Sequence, residues 1–476
     1  ADVYPLGPLQ EGLLFHHLLA DGGDDTYVMP AVLEFASRTG LDTFLAAFQN
    51  VLDRHDIFRT SFVWEGLPDP VQVVWRQATM PVTDVTLPED GADPVAGLIA
   101  TVGLAMDLGR APLITVHRAA VPGDDRWLAL VRIHHLVQDH MALELLLSEV
   151  GAFLAGRGAD LPEPLPFRNF VAQARGESEV GGHQEYFTEL LADFDEPSAP
   201  YGVTDVRGDG GAVTRAVVPF APESERRLRE VARRLRVSAA TVLHVAWART
   251  VGAMSGRDDV VFGTVLFGRM SGGAGAGHVP GPFINTLPVR VRTTDTGVLT
   301  AVSQMRTQLS RLLEHEHASL ATAQQASGLE SEAPLFTAFL NYRHNTARSE
   351  EQEVEEQPSE QQPVALEARL LYARERTNYP LGVAVDDDGD RLALTVDAVG
   401  TIDPEPVGVM VRATTERLVQ ALETALDGGP EVALSALPVL DEAGLDQVVR
   451  AWNDTAVEVE ASTLPGLFGA QVLRTP

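Results

Sequence analysis

Apolar residues along this chain fall into two alternating rhythms. Short runs of strand length occupy positions 60–64, 127–133, 214–220, 259–268 and 287–291. Between them lie longer stretches with apolar positions at helical spacing, at 41–52, 141–154, 223–235, 239–254 and 299–315. Such alternation predicts an α/β or α+β chain rather than a sandwich or a helical bundle. The same succession starts again after the polar segment 175–183, so two lobes of similar make-up are expected, with a boundary near residue 180.

Two stretches interrupt the pattern. "SEEQEVEEQPSEQQP", 349–363, is acidic, nearly free of apolar residues and carries two prolines, and reads as a solvated loop or insertion in the second lobe. "SGGAGAG", 271–277, reads as a flexible connection; a nucleotide cradle would need a helix directly after the glycines and a Lys or GxGxxG frame.

Composition narrows the class without naming a function. A length of 476 residues allows two or three structural units, and 45% hydrophobic with 22% charged residues is the balance of a soluble globular protein. No apolar run approaches the ~18 residues of a membrane span. The most apolar long stretch, 237–254, is broken by His244 and Arg249 and reads as a core helix. With no cysteine, thiol nucleophiles, disulfides and thiolate metal sites are excluded. A formal charge of −31 argues against unaided binding to nucleic acid or anionic membrane. No basic, apolar leader is present, which points to the cytoplasm.

The chemistry concentrates in "RIHHLVQDHMALELLLSEV", 132–150, where three histidines and an aspartate fall within seven positions. A strand ending at Ile133 delivers His134 and His135 to its carboxyl end, and a helix beginning near His140 leaves Asp139 at its N-cap. Neighbouring residues at a strand end point to opposite sides, so one of the two histidines should face a given cleft. Three readings are open on the residues alone. Asp139 is a cap and the histidines are buried polar residues; or His135, Asp139 and His140 converge on a metal, against which stand their divergence and the lack of a second ligand motif; or a histidine serves as a general base on a strand-to-helix loop.

"HHLVQD", 134–139, resembles the HHxxxDG signature of the condensation domains of nonribosomal peptide synthetases. "YPLGPLQEGLLFHHL", 4–18, is similar to their opening motif, "RHDIFRTSF", 54–62, to RHxxLRT, and "GPFINTLPVRV", 281–291, to GxFVNTxxxR. "EHEHASLATAQ", 314–324, "PLFTAFLNYRHN", 334–345, and "RTNYPLGVAV", 376–385, stand where the later family motifs belong. Order and spacing hold from Tyr4 to about Leu440, and the remaining segment resembles the linker into a following adenylation domain.

The resemblance implies two chloramphenicol-acetyltransferase-like lobes, 1–180 and 181–440, arranged as a V around a tunnel, with 441–476 as linker and start of an adenylation domain. It implies as partners an upstream donor and a downstream acceptor peptidyl carrier protein, and no directly bound cofactor, the substrates being carried on phosphopantetheine arms. The reaction implied is attack of an acceptor aminoacyl amine on a donor thioester. His135 is then the base or the group that orients the amine, and His134 supports the loop. Asp139 ion-pairs with an arginine, for which Arg290 is the matching candidate, and Asn285 and Thr286 line the tunnel. Arg54, His55 and Arg59 hold the first lobe together, His16 and His17 have packed or surface roles, and His315 and His317 mark a helix end.

One position departs from the family pattern. The glycine that ends HHxxxDG is His140 here, which raises the hypothesis that His140 and His135 act as an acid/base pair. That pair would suit a subgroup that also dehydrates a donor serine or threonine to a dehydroamino acid. An epimerisation domain, or a catalytically silent recruitment platform of the same fold, are the remaining alternatives. The retained His135 and the adenylation-like tail argue against them.

Overall fold

The computed structural model describes residues 2–19, 25–87, 93–180, 182–206, 213–269, 278–329, 333–344, 368–373, 379–389, 391–456 and 462–475. The stretches 349–363 and 271–277 lie outside these residues. The first part of the chain contributes β1 (Asp2–Pro5), β2 (Val28–Phe35), β3 (Thr60–Val63), β4 (Val71–Val74), β5 (Val82–Asp84), β6 (Ile114–Ala120) and β7 (Trp127–His134). The second contributes β8 (Val213–Pro219), β9 (Asp259–Leu266), β10 (Asn285–Arg292), β11 (Ala338–His344), β12 (Ala368–Ala373), β13 (Leu381–Asp387) and β14 (Leu392–Val399).

These strands form a five-stranded sheet in the order β12-β2-β7-β6-β5, a six-stranded sheet in the order β10-β9-β11-β13-β14-β8, and a small sheet β1-β4-β3. β7, with sequence WLALVRIH, and β9, with DVVFGTVL, are almost wholly buried, because each lies inside its sheet with both faces covered. β14 alternates buried and half-buried residues, as a strand with one covered face must. The chain is a mixed α/β protein with two sheet-centred halves, as the alternating pattern predicts.

Each sheet has its own helices and core. Ser37 caps the helix Arg38–Arg54 by accepting the Gly40 amide, and the helix buries Leu41, Phe44, Phe48 and Val51 against the first sheet. The helix Ala239–Ser255 is apolar around much of its circumference and buries Trp247 fully in the second core. That second core runs from Tyr186 to Leu437, while the first runs from Leu6 to Val171 and then recruits Val279, Phe283 and Ala368 from far along the chain.

The recruitment of Ala368 is a feature the linear pattern did not reveal. β12 lies within the stretch expected to build the second lobe, yet it pairs antiparallel with β2, Ala368 opposite Phe35 and Ala373 opposite Ala31. A strand exchanged in this way ties the halves together through backbone hydrogen bonds, which carry no side-chain signature.

Candidate active site

β7 runs through the centre of the first sheet, held in register by β2 on one side and β6 on the other, and ends at His134. A single 3-10 turn, His135–Val137, follows, and Asp139 then caps the helix His140–Leu154 by accepting the Ala142 amide at 2.8 Å. The strand end points the two histidines apart as expected: His134 is fully buried and His135 half-buried.

The hydrogen bonds set the neutral tautomer of each ring. His134 Nδ1 accepts the Leu136 amide at 3.0 Å, so that nitrogen carries no proton; the proton sits on Nε2, 3.0 Å from Asp25 Oδ2. Burial lowers the His134 pKa, against the opposing pull of Asp25. His134 is therefore a neutral structural pin. His135 is the reverse: its Nδ1 donates to the Gln138 carbonyl at 3.1 Å, so that in the neutral ring the lone pair is on Nε2, which has no hydrogen-bond partner among the described residues.

Asp139 is fully buried, and its oxygens accept from three sources. Besides the Ala142 amide, these are the Phe283 amide at 3.0 Å and Arg269 Nη2 at 3.1 and 3.4 Å. The arginine that pairs with Asp139 is Arg269 and not, as the family motif suggested, Arg290. Arg290 projects from β10 into a separate network, to Asp259 at 2.7 and 2.9 Å and to Asp193 at 2.5 Å. These two carboxylates hold its pKa above the ordinary arginine value, with Asp259 the larger influence. Arg269 lies just past β9, where it also donates to the Val279 carbonyl at 2.7 Å and stacks over Phe283 at 4.0 Å. Gly268 makes this approach possible: its φ is +60°, and a Cβ there would lie 2.0 Å from the Phe283 carbonyl oxygen. Asp139 thus joins the histidine loop of the first half to two segments of the second.

Asn285 also takes a different part from the one expected. Its amide donates to the carbonyls of Glu316 at 2.8 Å and Ala318 at 2.7 Å, and its oxygen accepts the Thr286 amide at 2.9 Å. With all three groups committed, Asn285 holds the 316–318 segment instead of presenting an amide to a tunnel. Thr286 is half-buried beside it, paired across the sheet with Val265. His140, in the first helical turn, has Nε2 3.4 Å from Glu144 Oε1, and this contact lowers the Glu144 pKa. The structure therefore gives His140 a carboxylate partner of its own.

The remaining motif residues are structural. His55 Nε2 and Arg54 Nε both meet Glu149 Oε2, at 2.7 and 3.2 Å, and Arg59 donates to the Trp75 and Arg76 carbonyls, so the RHxxxR segment braces the first half. His315 hydrogen-bonds His183 at 2.7 Å and stacks on Tyr186, while His317 is buried with its edge on Phe170. The side chain of His16 lies outside the described residues. Four residues that support the site were not singled out by sequence. They are Arg269, Gln10, Asp25 and, in this role, His17. Gln10, fully buried, donates to the Leu136 carbonyl at 2.9 Å; its signal was its place in the opening motif. Asp25 lies in the polar run "DGGDDT", which looks like any turn.

Comparison with known proteins gives this geometry a context. The family model described as "Condensation domain" matches residues 1–443. Malpinin synthetase of Mortierella alpina is 42% identical over 100% of this chain, and malpibaldin synthetase of the same organism is 42% identical over 95% of it. The chain spans only 6% and 8% of those two proteins. Among solved structures, a four-domain nonribosomal peptide synthetase bound to AMP and glycine superposes with a TM-score of 0.72 over 93% of this chain and 34% of that one, at 15% identity.

Proposed function

The chain belongs to the condensation-domain family, and from that premise we propose that it forms an amide bond between a donor acyl thioester and an acceptor aminoacyl amine, each carried on the phosphopantetheine arm of a carrier protein. The amine nitrogen attacks the thioester carbonyl, the C–S bond breaks, and the thiol leaves with the proton the amine gives up. A thioester is already activated, so the protein's work is to hold the amine unprotonated and in line. The observation that carries this reading is the state of His135. Its Nδ1–H is pinned to the Gln138 carbonyl, so that in the neutral ring the half-buried Nε2 carries the lone pair that can accept an N–H. The same observation supports catalysis over a silent recruitment platform, for which an oriented acceptor nitrogen has no use.

A condensing domain that also dehydrates a donor serine or threonine would need His140 as the partner of His135. The His140–Glu144 contact gives His140 an engagement of its own, so simple condensation is the preferred reading. For the tail, the family match ends at residue 443, and Leu445, Val449 and Trp452, with Leu464, Phe468 and Leu473 on the helix Leu464–Arg474, are exposed. Apolar side chains exposed in this density fit a segment that packs on a neighbouring adenylation domain.

The test uses a donor carrier protein loaded with a peptidyl thioester ending in threonine and an acceptor carrier loaded with an amino acid. Intact mass of the acceptor carrier reads the outcome. Product with the whole donor mass, absent with His135→Ala, is expected. Product lighter by one water would establish dehydration as well, and no product from the unmodified chain with competent carriers would overturn the proposal.

A further inference from the structure

We propose that Asp25 and His17 are positioning residues for the reaction, acting through His134 to fix the turn that carries His135. The inference rests on the condensation reading and extends it to residues outside the HHxxxD motif.

The loop that follows His134 is gripped from behind at two points. His134 Nδ1 holds the Leu136 amide, and the Tyr27 carbonyl accepts the His135 amide at 2.9 Å. The first grip requires the Nε2–H tautomer of His134, and that tautomer requires an acceptor facing Nε2. Asp25 is this acceptor. Its own position is set by the Tyr27 amide on Oδ1 at 2.8 Å and by His17 Nδ1 on Oδ2 at 2.5 Å. Residues 25–27 therefore control both the ring before the turn and the backbone of His135 itself.

His17 completes the arrangement. Asp25 is 5% exposed, and two imidazole donors on one oxygen satisfy a carboxylate that would otherwise be costly to bury. Burial pushes the Asp25 carboxyl upward, but the hydrogen bonds from His134 and His17 outweigh it and hold it well below the usual carboxylate range. The His17 ring packs edge-on against Trp64 at 6.4 Å and against His134 at 6.2 Å, which fixes its direction.

The ligand atoms of His17, Asp25 and His134 lie within 4.8 Å of one another, close enough to hold a cation. The Leu136 amide argues against that use. With Nδ1 accepting an N–H, a metal on Nε2 would need an imidazolate with no proton at either nitrogen. The cluster is built to place a proton.

Asparagine at position 25 separates shape from proton placement. An amide offers one acceptor oxygen where Asp25 uses two. If its NH2 group faces the imidazoles, His134 turns to the other tautomer, and its Nδ1–H then meets the Leu136 N–H head on. If the NH2 group faces Tyr27, it meets the Tyr27 amide. The first orientation releases the Leu136 amide; the second keeps the His134 tautomer but releases the Tyr27 amide, and with it the hold on the segment whose carbonyl takes the His135 amide.

The experiment compares wild type, Asp25→Asn, His17→Gln and His17→Leu in the carrier-to-carrier assay, with 15N-imidazole NMR reading the tautomers. Wild-type His134 should be neutral with the proton on Nε2. Asp25→Asn should fall about 100-fold in kcat in either amide orientation, with KM for both carriers within about twofold, and should lose the Nε2–H signature where the NH2 group faces the imidazoles. His17→Gln keeps an N–H donor for Asp25 and should stay near wild type, while His17→Leu should fall between. A His134 found protonated at Nδ1 in the wild type, or unchanged kcat in Asp25→Asn, would overturn the inference. If Asp25→Asn does not fold, the His17→Gln and His17→Leu pair decides, equal activity of the two being the refuting result. If the unmodified chain condenses nothing, the condensation reading fails, and the tautomer spectra still decide whether Asp25 sets the His134 proton.

Discussion

Replacing Arg269 by alanine should destabilise the protein by about 3 kcal/mol and disable the site, although Arg269 lies 130 positions from Asp139 in sequence. Asp139 is fully buried, so removing its cation leaves a carboxylate in a medium that does not solvate it. Breaking a buried pair costs about 3–5 kcal/mol, and the low end applies because the Ala142 and Phe283 amides still donate to the two oxygens. Asp139→Asn should cost a similar amount, since it removes the negative charge facing a guanidinium that is only 11% exposed. The double variant Asp139→Asn/Arg269→Ala removes both charges and should recover a coupling energy of at least about 1.5 kcal/mol relative to the sum of the singles. Denaturant titration of the four proteins, followed by tryptophan fluorescence, supplies the cycle. The parallel cycle with Arg290→Ala should show no coupling to Asp139, because Arg290 serves Asp259 and Asp193. Additive costs in the Arg269 cycle, or coupling in the Arg290 cycle, would refute the assignment of Asp139's partner.

Further outcomes follow from the same geometry. Gly268→Ala must push back the Phe283 backbone and adopt a positive φ, so it should cost about 2–4 kcal/mol and reduce condensation together with stability, as read by calorimetry and product mass. Asn285→Ala releases the 316 and 318 carbonyls and should cost about 2 kcal/mol in a thermal melt, with Asn285→Asp worse because a carboxylate would face two carbonyl oxygens. His244 is buried with a pKa pushed down by burial to about 4. Its ring stays neutral in the fold while the unfolded chain takes up a proton below the ordinary value near 6.5. Stability from this group is thus complete above pH ~6.5 and falls by about 1.4 kcal/mol per unit as pH drops toward 4. His244→Gln should reduce that slope by one proton's worth in denaturant titrations between pH 6.5 and 4. An unchanged slope would place the neutral ring elsewhere.

The chain's local chemistry determined a good deal without the fold. The strand at 127–134 and the capped helix at 140–154 are legible because β-rich residues, an N-cap aspartate and a 3.6-residue apolar period all act over neighbouring positions. The divergence of His134 and His135 follows from strand geometry alone, while the choice of His135 over His134 as the group facing substrate rested on the family resemblance. Motif order was enough to bring residues 54–59, 134–139 and 281–290 into one family pattern. What sequence could not decide was which distant partner each polar side chain meets. Arg269 and Arg290 are both arginines near strand ends, and only the packing of the second half against the first shows that the Gly268 turn delivers Arg269, with the Phe283 amide, to Asp139. Likewise Asp25 resembles a turn residue until the sheet brings it 3.0 Å from His134, and β12 resembles part of the second lobe until it is found beside β2. A hydrogen bond acts over about 3 Å in space and has no fixed spacing in sequence, so local propensity records elements while partner choice belongs to the tertiary structure.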